Sequence, residues 1–199
     1  MPVPGVGSVD REITGAAGPL PARIDTPAGT GPFPVVVYFH GGGWVIADKD
    51  VYDGGARDLS KAAGAIVVSV DYRRSPEAKF PAAWDDSLAA YRWAAANAST
   101  FNGNQQLALA GESAGGNLAI ATAIAARDSG APKPLAVIAV YPVGQTGSMT
   151  TASYVDSEKA KPRNKAMIGW FVDKLLARPE DKTDPASTSS TPISRACRR

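Results

Sequence analysis

Two short stretches of the chain hold the residue types best suited to chemistry. Gly111-Glu112-Ser113-Ala114-Gly115 sets a serine in G-x-S-x-G spacing, between a predicted strand and a predicted helix. A sharp turn there would lift the serine hydroxyl off the end of a sheet, and the small residues on either side let the strained backbone close. The helix beginning at Ala114 would aim its unpaired N–H groups at developing negative charge. The second stretch, His40-Gly41-Gly42-Gly43-Trp44, also follows a predicted strand. Three consecutive glycines can present backbone N–H groups with no side chain in the way, as stabilisation of an oxyanion about 3 Å from its donors requires. The natural donors are the N–H groups of Gly41 and Gly42, with that of Ala114 as the third. Each stretch also has a plainer reading, Ser113 as a helix cap and the glycines as a flexible turn. A phosphate-cradling use of the glycines is excluded, because neither G-x-x-x-x-G-K-[ST] nor G-x-G-x-x-G occurs.

The pairing points to attack of a serine hydroxyl on an acyl carbonyl, and such a serine needs a base to take its proton. His40 is the one histidine in 199 residues, and it leads the glycine loop. If it only shapes that loop, its ring should lie beyond hydrogen-bond reach of Ser113. Surrogate bases within the chain would be Glu112, Asp85 or His40 itself.

The elements that must position these residues alternate in type. Pro34–Phe39, Ala65–Val70, Leu107–Gly111 and Leu135–Tyr141 read as short apolar strands, the first two β-branched as in strands covered on both faces. Trp84–Ala98, Ala114–Asp128 and Asn164–Ala177 read as helices, with Asp85 and Asp86 in the first turn of the first. The Gly- and Pro-rich opening suits short antiparallel edge strands and turns. The pattern predicts an α/β fold, a mostly parallel sheet with helices on both faces.

Composition narrows the class. Apolar residues make up 44% and charged residues 20%, as in an ordinary globular domain, and the net charge of +2 gives no footprint for nucleic acid. Arg195, Arg198 and Arg199 supply the basic excess, since acidic residues outnumber basic ones without them. The single cysteine, Cys197, permits no internal disulfide. No apolar run approaches a membrane span, and the opening residues lack the pattern of a signal peptide, so the expectation is a cytoplasmic protein. No Cys/His/Asp/Glu cluster has ligand spacing, so neither metal nor organic cofactor is expected.

Taken together, "PVVVYFHGGGWV", "VVSVDYRRSPEAKFPAAWDD", "LALAGESAGGNLA" and "VIAVYPVG" resemble the hormone-sensitive-lipase-like branch of the α/β-hydrolases, in the family's order, from roughly Val9 to Ser187. The resemblance implies a small-molecule acyl ester as substrate, Ser113 as nucleophile, and a glycine loop supported rather than used catalytically by His40 and Gly43. It implies that Gly111, Glu112 and Gly115 form the elbow around the serine, and that Glu77 and Asp85 brace the site. Arg74 and Ser75 stand where the family commonly has an apolar residue and an alanine. The family's catalytic Asp and His lie further downstream, and no histidine follows Ser113 here.

The expectation is therefore a partial α/β-hydrolase domain over 1–187 that lacks the last strands and most of the cap, with 143–178 a cap-like remnant. Residues 188–199 read as a non-native tail. Back-translated and read two nucleotides out of frame, this tail permits a segment similar to the one that follows in the family, as a frameshift near Ser187–Thr188 would leave. Three functions stay open: an esterase weakened by its missing base, a non-catalytic ligand-binding protein, or an inactive fragment. Two structural expectations follow. Ser113 should adopt a positive φ, and Leu135–Tyr141 should be the last strand, with an exposed edge through which copies associate.

Overall fold

The computed structural model describes residues 3–147, 150–156, 158–159, 161, 164–184 and 187. The tail expected at 188–199 lies outside them, as do Pro185 and Ala186.

Among the described residues six strands form one sheet in the order β1-β2-β4-β3-β5-β6. Strands β3 (Phe33–Phe39), β4 (Ile66–Val70), β5 (Gly103–Glu112) and β6 (Ala136–Val140) run parallel. β1 (Val6–Gly15) and β2 (Gly18–Pro27) form an antiparallel hairpin that joins the sheet through β4. The opening segment thus holds two ten-residue strands rather than the short ones its glycines and prolines predict. Its prolines fall where an edge hairpin tolerates a missing N–H.

Alternate residues of the central strands go to opposite faces, each covered by helix. Val35, Val37 and Phe39 of β3 enter the large core with Ile66, Val68 and Val70, under α2 (Ala82–Asn97) and α3 (Ala114–Asp128). Val36, Tyr38 and Val67 face the other way, onto a smaller core with Ala56 of α1 (Asp53–Ala63). Two further helices, α4 (Ala152–Asp156) and α5 (Lys165–Leu175), follow β6, and α5 sends Val172 and Leu175 into the large core. No helix among the described residues is long and apolar enough to cross a membrane.

Among the described residues β6 pairs with β5 alone and lies at the edge of the sheet. Val137, Ile138 and Val140 are 39%, 46% and 44% exposed, so the strand expected to be last carries apolar surface on an open edge.

One buried carboxylate ties the far side of the sheet together. Asp86, on the inward face of α2 one turn before Ala90 and two before Ala94, is 1% exposed. It accepts from Arg73 Nε at 2.7 Å and Nη2 at 3.0 Å, from the Arg73 amide at 3.1 Å, and from the Ala16 amide at the tip of the β1–β2 hairpin at 3.2 Å. Removing this acceptor strands two backbone donors and one guanidinium. Asp86→Ala should lower the unfolding free energy by about 3 kcal/mol, measured by urea denaturation. Asp85→Ala, at the exposed neighbouring position, should change it by about 0.5 kcal/mol or less.

Candidate active site

Ser113 occupies the single residue between the end of β5 at Glu112 and the start of α3 at Ala114. Its φ of 56° and ψ of −116° form the strained elbow expected from the sequence. Such a conformation costs a non-glycine residue about 1–3 kcal/mol, so the surroundings must impose it. The Ser113 amide donates to Val140 O at 2.9 Å, and its carbonyl accepts from the amides of Val143 at 3.1 Å and Asn117 at 3.2 Å. Glycine is required at the neighbouring positions because no space remains for a side chain. A Cβ at Gly115 would overlap the Phe39 carbonyl, and one at Gly111 would overlap the Gly115 carbonyl. The first turn of α3 is therefore pressed directly onto the end of β3.

The glycine loop continues from that same end of β3. Gly42 has a φ of +113°, and a Cβ there would overlap the Ile46 carbonyl, so the loop folds back on itself only with glycine at this position. Its carbonyl accepts from the amides of Val45 and Ile46 at 3.1 and 3.0 Å. Gly42, Gly43 and Ser113 together line a cleft of about 940 Å³. Gly41, expected to supply one of the two loop donors, does not line that cleft and lies beside the Tyr52 hydroxyl, whereas Gly43 does line it. Ala114 is buried at the first position of α3, where an N–H has no partner within the helix.

His40 is fully buried behind the loop. Its Nδ1 lies 2.6 Å from Gly41 O, and its ring stacks on Tyr72 with centroids 4.3 Å apart. The Tyr72 hydroxyl donates to the His40 carbonyl at 2.9 Å. Nε2 has no hydrogen-bond partner, so neither ring nitrogen engages Ser113. Burial lowers the imidazole pKa to about 4, leaving the ring neutral at physiological pH. The segment carrying Tyr72 grips the loop at further points, through Ser75 N to Trp44 O at 2.8 Å and through Arg74 Nη1 to Ala47 O.

The remaining carboxylates are placed as follows. Glu112 accepts from the hydroxyls of Tyr38 at 3.3 Å and Tyr141 at 3.1 Å. Glu77 and Asp85, expected to brace the site, are both exposed, and among the described residues neither side chain makes a hydrogen bond. The bracing falls to Asp86 and Arg73, which sequence reasoning passed over. The signal was present, because position 86 shares the inward stripe of α2 with Ala90 and Ala94, whereas position 85 faces out. Among the described residues no group of three or more His, Cys, Asp or Glu side chains is placed to hold a metal ion.

The walls of the cleft are apolar. Ile46, Val143, Met167, Ile168 and Phe171 line it, and the Phe171 ring fills the space that a Cβ on Gly43 would need. Helix α5 is docked beside that wall by Phe80 N to Leu175 O at 2.9 Å and Lys79 Nζ to Leu176 O at 3.1 Å. The arrangement offers an apolar cleft, a hydroxyl on a strained elbow at its floor, and a glycine loop along one side.

Comparison with known proteins agrees with this geometry. A family model described as alpha/beta hydrolase fold matches residues 36–195. Carboxylesterase NlhH of Mycobacterium tuberculosis is 41% identical over 147 residues, covering 71% of this chain and 46% of that protein. Carboxylic ester hydrolase LipN of the same organism is 36% identical over 198 residues, covering 94% and 51%. Among solved structures, a hyperthermophilic esterase from the archaeon Pyrobaculum calidifontis superposes with a TM-score of 0.88 at 36% identity, covering 94% of this chain and 62% of that one. The chain spans about half the length of the curated relatives it matches. With a family match over most of its length and a sheet that superposes on a solved esterase, the chain belongs to the α/β-hydrolase family, in its hormone-sensitive-lipase-like branch.

Proposed function

We propose that this chain carries the nucleophile and the oxyanion-binding half of a carboxylesterase site, acting on small acyl esters. The observation that carries the reading is the left-handed elbow of Ser113, set on the floor of an apolar cleft beside Gly42 and Gly43. Ser113 Oγ attacks the ester carbonyl carbon, and the carbonyl electron pair moves onto oxygen. The N–H groups of Gly42, Gly43 and Ala114 stabilise that oxyanion; their positions along the cleft and at the start of α3 favour them over Gly41. Collapse expels the alcohol and leaves an acyl-serine for water to cleave. The apolar walls from Ile46 to Phe171 receive the acyl or alcohol portion.

The proton of the Ser113 hydroxyl needs an acceptor other than His40, whose Nδ1 is held by Gly41 O and whose Nε2 is buried. Glu112 is occupied by two tyrosine hydroxyls, and Asp85 sits on the exposed face of α2. Oxyanion stabilisation and binding alone sustain roughly 10³–10⁴-fold over water, and the base that takes this proton supplies the rest of the rate. The ligand-binding alternative is not favoured, since the relatives described above are ester hydrolases. The exposed edge of β6 also fits association of two copies, because an unpaired apolar strand is a template for pairing.

Three outcomes are expected. A serine-directed phosphonate should label the chain at Ser113, read by peptide mass, while Ser113→Ala shows no label; labelling elsewhere would remove the assignment. Gly42→Ala, which places a Cβ against the Ile46 carbonyl, should slow that labelling by about 10²-fold through loss of one oxyanion donor. By light scattering at micromolar concentration the chain should run as dimers or larger species, and Ile138→Lys on the β6 edge should shift it to monomer.

A further inference from the structure

Behind the glycine loop two buried polar atoms face each other, and neither has a hydrogen-bond partner. His40 Nε2 and Asp71 Oδ1 lie 3.8 Å apart. The tautomer of the ring follows from its other nitrogen. Gly41 O is only an acceptor and lies 2.6 Å from Nδ1, so Nδ1 carries the hydrogen and Nε2 of the neutral ring presents a lone pair. A lone pair opposite an ionised carboxylate is repulsive, and a single added proton makes the contact attractive. A hydrogen bond between them requires the Asp71 carboxyl to close this 3.8 Å separation.

We infer that Asp71 is a positioning residue for the glycine loop, sharing one proton with His40 Nε2 and thereby fixing the imidazole whose Nδ1–H holds the Gly41 carbonyl. Where the pair holds one proton, that proton sits on Asp71, as an acid beside a neutral imidazole. Burial favours this state from both sides, raising the Asp71 pKa and lowering that of His40. The ring cannot turn away, since Tyr72 stacks on it at 4.3 Å and Tyr52 at 5.8 Å.

The charged groups around the pair set where it titrates. Arg74 Nη1 is 3.7 Å from Asp71 Oδ1 and 3.9 Å from Asp48 Oδ2, and it opposes protonation of Asp71. Lys49 acts in the same sense, while Asp48 and Asp50 act the other way. Arg74 thus places a cation where it tunes the retention of the loop. Because the folded-state pKa of Asp71 is raised, the locked state forms as pH falls through that value and persists until His40 itself takes a proton at about pH 4. It is lost as pH rises through that raised value.

The inference rests on the proposed oxyanion role of the loop only for its consequence, because its test needs no catalysis. His40 is the one histidine in the chain, so long-range ¹H–¹⁵N NMR of the full chain gives a single imidazole. At neutral pH that signal should show a protonated Nδ1 and a bare Nε2. Its pH titration should contain an inflection from Asp71 that disappears in Asp71→Asn, whose amide donates to Nε2 without titrating. Arg74→Met should move the same inflection upward by about half a pH unit or more, as loss of a cation about 4 Å away requires. A protonated Nε2 at neutral pH, or a titration curve unchanged by either substitution, would overturn the inference. Arg74→Met decides alone if circular dichroism shows Asp71→Asn unfolded. A failed phosphonate labelling leaves this result standing, and a wrong tautomer leaves the Ser113 assignment standing.

Discussion

The whole site depends on how closely the first turn of α3 approaches the end of β3. At Gly115 the helix backbone lies against the Phe39 carbonyl, at a distance that excludes any side chain. That contact brings the N-terminus of the helix beside the strand from which the glycine loop departs. It forces the chain to leave β5 abruptly, and the strained conformation of Ser113 is the result. The Ser113 amide donates to Val140 O and its carbonyl accepts from the Val143 and Asn117 amides; these bonds hold that strain, so the elbow is determined from three directions. Strain held this way presents the hydroxyl at the cleft floor without any cost at the moment of reaction.

The glycine loop is held by a different device. Nothing within 40–47 is a regular element, yet the segment after β4 grips it at His40, Trp44 and Ala47. That segment is anchored in turn by Arg73 on the buried Asp86 of α2. A line of polar contacts thus runs from the hairpin tip through α2 and residues 71–75 to the backbone that lines the cleft. The apolar core supplies the bulk of the stability. These few polar contacts supply the geometry, since buried polar groups tolerate little misalignment before they lose their partners.

Much of this was legible in the sequence, for physical reasons. β3 and β4 are β-branched runs that admit only one structure, and the elbow was visible because glycine at 111 and 115 leaves few alternatives. The helix α3 matched its predicted span, Ala114–Asp128. Helix α1 was not read, because Gly54 and Gly55 in its first turns lower helix propensity, although Asp53 at its start and Gly64 in left-handed conformation past its end are proper terminal signals. The choice of Asp85 over Asp86 failed because two adjacent carboxylates look alike in a linear sequence and differ by about 100° around a helix. Gly41 was favoured over Gly43 for a similar reason. Three glycines in a row carry no mark of which one faces the cleft.

The strand order also has a consequence for how the chain is made. β3 lies in the middle of the sheet, yet one of its neighbours, β5, is encoded about seventy residues later, where Val36 meets Ala108. At about 5–20 residues per second a ribosome needs roughly 4–14 s to cover that distance. For the first part of that interval β3 has neither neighbour in the parallel sheet, and once β4 has been made it has β4 on one side and nothing on the other. The Asp86 anchor for the hairpin tip emerges within the same interval. Synthesis therefore passes through a stage in which an N-terminal half-sheet is assembled around an open valine edge, and holdase chaperones that shield such edges would have their greatest effect before residue 112 is added.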